Sequence, residues 1–280
     1  MHAASALTAA MATLAAGQDG TPPRDATLAL FRRHLAREQQ QVREGFEAYR
    51  VSGLEAARLL SGHADALIVA LHGHAAALQG AGDGAAPGGA APGAGGAADS
   101  LAIVATGGYG RGVLAPFSDI DLLFLTPDEP SPRLLGRVEY MLYFLWDLGL
   151  KVGHATRSVV QCLEQASHDV TVTTTLLDAR LVDGDAALFD EFHARFAESN
   201  LHNAGAFLAA KQAERAQRHR RFGESAYLVE PNIKEGRGGL RDLQTLYWMM
   251  RYVLGPVFER LDHPESVACG LLNVREVAQA

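Results

Sequence analysis

Residues 118 to 125 read Ser-Asp-Ile-Asp-Leu-Leu-Phe-Leu, an apolar run that carries two aspartates one residue apart. Side chains alternate along a strand, so Asp119 and Asp121 share one face while Ile120 takes the other. Two carboxylates side by side against a core repel each other and are costly to desolvate. A fold that keeps them there needs something to relieve the charge, and divalent cations held between oxygen ligands do so. Upstream, the β-rich run Leu101 to Thr106 (LAIVAT) ends at Gly107 and Gly108, and ten residues separate this glycine pair from Asp119. Leu101 to Thr106 and Ile120 to Leu125 are therefore expected as two central strands.

Two readings of this stretch compete. In one, the glycines make a hairpin turn and the aspartates lie at solvent-facing ends. In the other, Gly107 and Gly108 let backbone N–H groups approach a triphosphate with no Cβ in the way, and Asp119 and Asp121 hold Mg²⁺. The glycine pair, the ten-residue loop and Ser118 directly before the aspartates together favour the second.

The rest of the chain is mostly helical in pattern. Leu28, Phe31, Leu35, Val42, Phe46 and Tyr49 recur at helical spacing from Asp25 onward, and Leu59, Leu60, Leu67, Ile68 and Leu71 mark a second helix over about 54–78. Gln79 to Ser100 is rich in Gly, Ala and Pro and is expected as a loop or linker. Helical spacing returns over 134–148, 186–199, 204–222 and 240–254, with a third strand over 152–156. The layout is α+β, a small mixed sheet wrapped by helices. The opening 24 residues have no Lys or Arg before their apolar part, as a secretory signal needs, and are expected to be a disordered extension.

Of 280 residues, 48% are apolar and 20% charged, enough for a packed core in a soluble globular protein. A net charge of -7 argues against a nucleic-acid binder held by a general basic field. No apolar run is long enough for a membrane span. Two cysteines, Cys162 and Cys269, make no disulfide framework and fit a reducing cytoplasm.

Further candidates surround the aspartate pair. Arg111, in the loop between glycines and aspartates, suits bidentate phosphate contact or a surface ion pair. Asp178, in LLDARLVDGD, is a candidate third carboxylate, or else a turn residue paired with Arg180; Asp183 and Asp185 read as turn residues. Lys151 and His154, in KVGHATR, stand where a third strand would bring them to the site, though a packed structural role fits His154 equally well. Tyr227 to Tyr252 crowds Glu230, Lys234, Glu235, Arg237, Arg241 and Asp242 around Gly236-Arg237-Gly238-Gly239 at the start of a helix. That cluster is either an anion site at a helix N-terminus or an ion-paired brace.

GG followed by SDID resembles the signature of the polymerase-β-like nucleotidyltransferase superfamily. Together with KVGHATR, TVTTTLLDARLVDGD and EPNIKEGRGGLRDLQTLYW, over about Asp25 to Tyr252, it resembles the bifunctional uridylyltransferase/uridylyl-removing family that modifies the nitrogen-regulatory protein PII. The resemblance implies a polymerase-β-like mixed sheet flanked by helices, with an N-terminal helical segment and a C-terminal helical region. It implies transfer of UMP from UTP to a PII tyrosine in the cytoplasm, with Mg²⁺ as cofactor and neither nucleic acid nor membrane as partner. Asp119 and Asp121 would be metal ligands, with Asp178 as a possible third; Gly107, Gly108, Arg111 and Ser118 would bind nucleotide. Either Asp121 or Asp178 would be the general base. The competing assignments are an adenylyltransferase with another acceptor, against which EPNIKEGRGGLRD argues, and an inactive nucleotide-binding module.

The expected segments are an extension over 1–24, helices over 25–78, the loop over 79–100, a nucleotidyltransferase domain over 101–200 and a helical region over 201–280. The family also has an HD phosphohydrolase domain and two glutamine-sensing ACT domains, for which the 280 residues leave no room. Uridylyl removal and glutamine sensing are therefore expected to lie outside this sequence. The pair His168-Asp169 is no substitute, because an HD site needs further ligands at wider spacing. The insertion over 79–100 is also long for the family.

Overall fold

The computed structural model describes residues 7, 9–10, 24–82, 97–200, 204–222 and 232–255. The expected extension over 1–24 and most of the Gly/Ala/Pro-rich loop over 79–100 lie outside the described residues, as do Glu230 and Cys269. The chain divides into two compact units, one of 1–162 with 178–192 and the other of 163–177 with 193–280.

The first unit is built on a four-stranded sheet: β1 (Ala102–Ala105), β2 (Ile120–Thr126), β3 (Val152–Ser158) and β4 (Arg180–Gly184), in the order β3-β2-β1-β4. β1 runs antiparallel to both β2 and β4, whereas β2 and β3 are parallel. The two expected central strands are central, and the third is present. β4 escapes sequence reading because Arg180-Leu-Val-Asp-Gly has only two apolar residues, and all of its first four positions are half-buried.

β1 and β2 are buried on both faces apart from Asp121, and helices cover the face that carries Ile120. α1 (Arg24–Glu47) buries Leu28, Phe31 and Val42 at helical spacing. It ends before Tyr49, which has a positive φ and lies exposed, so the apolar face is shorter than the pattern predicts. α2 (Gly53–Gly82) starts at a capping box: Ser52 N–H donates to Glu55 and Glu55 N–H to Ser52 Oγ. The α2 helix extends four residues past the expected end, up to Gly82. A single turn, α3 (Gly107–Gly110), follows β1. α4 (Pro132–Asp147) has Ser131 as its N-cap and Pro at the first position. Ile103, Ala105, Ile120, Leu122 and Phe124 from the sheet pack with Leu67, Ile68 and Leu71 of α2 and Met141, Phe144 and Leu145 of α4. Phe31 meets Phe144 edge-on at 5.1 Å between ring centroids.

Past β3 the chain forms α5 (Val159–His168) and α6 (Val170–Leu177). The run Val-Thr-Val-Thr-Thr-Thr has high strand propensity, yet α6 is helical, buries Thr173, Thr174, Leu176 and Leu177, and bonds its hydroxyls back along the helix. Thr174 Oγ1 donates to the Val170 carbonyl at 2.6 Å and Thr175 Oγ1 to that of Thr171 at 2.9 Å. His168 and Asp169 sit at this helix junction, where Asp169 Oδ1 accepts from Thr171 N–H. α7 (Ala186–Asn200) begins on Asp185, whose carboxylate accepts from Ala187 and Leu188 N–H.

The second unit adds α8 (Ala204–Phe222) and α9 (Leu240–Leu254), both over the expected spans. Phe207 stacks flat on Tyr252 with centroids 3.9 Å apart. Lys211 is buried with its ammonium 4.8 Å from the Trp248 ring and bonded to Glu214. Among the described residues no helix is long and apolar enough to cross a membrane.

Candidate active site

β1 and β2 bring the glycine pair to the aspartates. Thr106 N–H donates to the Asp121 carbonyl at 3.0 Å, the last rung of the ladder, and α3 turns away from it at Gly107. Gly107 has φ +58°, a region where a Cβ is strained. A Cβ there would also stand 3.0 Å from Asp121 Oδ2. On the other side, the register pairs Asp121 with Gly153 of β3, and a Cβ on Gly153 would overlap Asp121 Oδ1. The Asp121 carboxylate thus occupies a slot between two glycines, one on each neighbouring segment.

Asp119 precedes β2 and is exposed, while Asp121 is half-buried and Ile120 turns into the core. The alternation expected from sequence holds. Burial, and then the charge of Asp119, push the Asp121 carboxyl above its ordinary value. Such a pair is stabilised by a cation between its members. Among the described residues no group of three or more His, Cys, Asp and Glu side chains is placed to hold a metal. Two carboxylates would fit a hard divalent cation that completes its shell with phosphate and water oxygens.

Arg111 lies beside the glycines: a Cβ on Gly108 would be 3.8 Å from Arg111 Nη2. The same guanidinium is ion-paired with Asp178, whose side chain is fully buried. Asp178 is thus brought to the glycine turn through Arg111 and not paired with Arg180. Gly110 packs directly on the Asp178 backbone, where a Cβ would collide with the carbonyl oxygen.

Arg180 has a different partner. It makes two 3.0 Å bonds to Asp65 of α2, donates to the carbonyls of Gly110 and Tyr109 at 3.2 Å each, and lies 5.5 Å from the Tyr109 ring. It clamps the carbonyl end of α3 against α2. Sequence reading missed this role, and missed Gly110 and Gly153; for Gly153, the signal was a glycine inside a strand pattern, which marks a close approach.

Ser118 is exposed, and its N–H donates to the Ala115 carbonyl; Phe117 before it has φ +65°. A cleft of ≈ 970 Å³ between α1, α2 and residues 114–120 is lined by Ser118, Ile120 and Lys151 but by neither aspartate. It lies on the Ile120 side of β2. His154 packs its ring on Trp146 at 5.7 Å. Cys162 is buried, which pushes its thiol up to about 11.

In the second unit, Asp242 gathers Arg218 at 2.6 Å, His219 at 2.9 Å, Arg215 at 3.2 Å and the Gly238 N–H at 2.9 Å. Leu240 and Arg241 N–H groups donate to the Ile233 and Lys234 carbonyls. The Gly236–Gly239 turn is thus braced by the protein's own charges and backbone.

Residues 97–172 match the nucleotidyltransferase domain family, and residues 206–280 match the GlnD PII-uridylyltransferase family. The chain is similar to the bifunctional uridylyltransferase/uridylyl-removing enzyme of Gluconobacter oxydans (strain 621H), at 44% identity over 99% of this chain and 29% of that protein. It is similar to the enzyme of the same name from Azospirillum brasilense, at 57% identity over 54% of this chain and 16% of that protein. A third, from Phenylobacterium zucineum (strain HLK1), is 42% identical over 88% of this chain and 25% of that protein. The chain spans less than a third of the length of these relatives.

Proposed function

We propose that this chain, which carries a nucleotidyltransferase-family region and a PII-uridylyltransferase-family region, transfers UMP from UTP to a tyrosine of the signal protein PII in the bacterial cytoplasm. The observation that carries the reading is the Asp121 carboxylate held between Gly107 and Gly153, its charge opposed by burial and by Asp119.

In this reading Asp119 and Asp121 hold Mg²⁺. The bound metal neutralises phosphate charge and lowers the pKa of the attacking hydroxyl. Gly107 and Gly108 leave the triphosphate room against the backbone, and Ser118, exposed directly before Asp119, contacts the nucleotide. Arg111 presents its guanidinium at Gly108 and is held there by Asp178, which acts through Arg111 in place of a third ligand. The tyrosine oxygen bonds to the α-phosphorus as the bond to pyrophosphate breaks, and pyrophosphate departs with that electron pair. In this reading Asp121, which faces the gap left by Gly153, receives the phenolic proton.

The test is to incubate the chain with Mg²⁺, PII and each labelled nucleoside triphosphate. Label on PII from UTP, lost in Asp121→Asn with an unchanged melting curve, is expected. Transfer from ATP in place of UTP would make the chain an adenylyltransferase, and UTP binding without product would leave a nucleotide-binding module.

A further inference from the structure

We propose that the outer edge of β3 is the dock for the acceptor, an extended tyrosine-bearing segment of the partner protein that pairs with β3 as a fifth strand. This rests on the transfer reading above and names how its acceptor reaches the site.

β3 is an end strand of the sheet, paired with β2 alone among the described residues. The Ile120 N–H donates to the Lys151 carbonyl at 2.9 Å, so Lys151, Gly153, Ala155 and Arg157 turn their backbone groups toward β2. Val152, His154 and Thr156 then present N–H and C=O outward, an open row for strand addition.

The two faces beside that row differ. Paired residues of a ladder share a face, so His154 and Thr156 lie on the helix side with Leu122 and Phe124, and Gly153 lies on the side of Asp121. On the helix side, an open groove is lined by Leu135, Leu142, Tyr143 and Trp146 of α4 with Thr156 of β3. Leu135, Tyr143 and Trp146 are large side chains left 45%, 54% and 43% exposed. On the other side, the Asp121 carboxylate leans over Gly153, toward the edge. Among the described residues, the atoms within 4 Å of a Cβ placed on Gly153 are those of the Asp121 carboxylate.

Strand alternation ties these faces together. A segment paired with β3 would stand two strand spacings, about 10 Å, from β2. A tyrosine placed opposite Gly153 crosses the gap left by that glycine and brings its hydroxyl to Asp121. The residues directly before and after it turn to the helix side and fill the Tyr143–Trp146 groove. Arg157, on the Gly153 face, favours a carboxylate elsewhere on the tyrosine side of the segment. The acceptor is thus an extended segment with an apolar residue next to its tyrosine and an acidic residue nearby.

Trp146→Ala and Thr156→Pro test the groove and the backbone row separately. Both sites are exposed, and proline is tolerated on a strand edge where its nitrogen faces outward. Two measurements are made on the full chain: affinity for PII by titration calorimetry, and the KM of PII in UMP transfer. Each variant is expected to weaken PII binding and raise its KM about tenfold. KM for UTP and the melting temperature should stay as in the unaltered chain. PII affinity equal to that of the unaltered chain in both variants would overturn the dock. If the unaltered chain binds PII and both variants lose binding, yet no label is transferred, the dock stands and the transfer reading falls.

Discussion

Asp121 and Gly153 are ladder partners, and the carboxylate of one fills the space where the other lacks a Cβ. Gly153→Ala therefore sets stability against function. Its φ is negative, and alanine is favoured over glycine in a strand by about 0.5–1 kcal/mol. The clash falls on the movable end of a side chain, which swings away. UMP transfer is expected to fall at least about tenfold, because reacting groups tolerate little displacement. The melting temperature should hold or rise slightly. Transfer at the rate of the unaltered chain would refute the placement of Asp121 at the reacting centre.

Gly110→Ala has the opposite character. The added Cβ would collide with the Asp178 carbonyl and stand 2.9 Å from that of Ala105. Both are backbone atoms, one at the end of β1 and one at the entry to β4, and neither yields without moving a strand. The urea midpoint should fall by the equivalent of about 2–4 kcal/mol. A midpoint unchanged from that of the unaltered chain would show that α3 is not seated against the sheet as described.

The same contrast explains what could be read in advance. Asp119 and Asp121 were legible because a period of two places charges on a face without any tertiary knowledge. The spans of α8 and α9 were legible from helical spacing. β4 and α6 were not: one is too polar for a strand and the other too β-branched for a helix, and tertiary packing overrides both patterns. The partners of Arg180 and Asp178 were illegible for another reason. Asp65 lies 115 residues from Arg180, and Arg111 lies 67 from Asp178, and proximity in sequence suggested the local pair Asp178 with Arg180.

Asp178→Asn separates two roles for that carboxylate. Its side chain is fully buried and that of Arg111 is 17% exposed, so removing the negative charge leaves a largely desolvated cation. Breaking one side of such a pair costs about 3–5 kcal/mol, with asparagine at the lower end because it still accepts a hydrogen bond. A lower urea midpoint and weaker UTP binding, with the Mg²⁺ dependence of transfer unchanged, are expected. An unchanged midpoint with a displaced Mg²⁺ dependence would instead make Asp178 a metal ligand.

Asp242 supplies a pH-dependent term to the second unit. Burial alone would raise its pKa, but the Gly238 N–H, Arg218 and His219 outweigh that and hold it at about 2. A carboxyl depressed below its ordinary 3.8 stabilises the folded state above that value, and the contribution vanishes as pH falls toward 2. Asp242→Asn lacks this term at every pH. Allowing for solvent screening of the partly exposed cluster, the unaltered chain should exceed the variant by about 1–2 kcal/mol near pH 6. That gap should close between about pH 4 and pH 2, as Asp242 takes up its proton in the folded state. Urea midpoints across this range provide the measurement. A gap that stays constant to the acid end would mean that the asparagine loses packing or hydrogen bonds and that the charge of Asp242 contributes nothing to the brace.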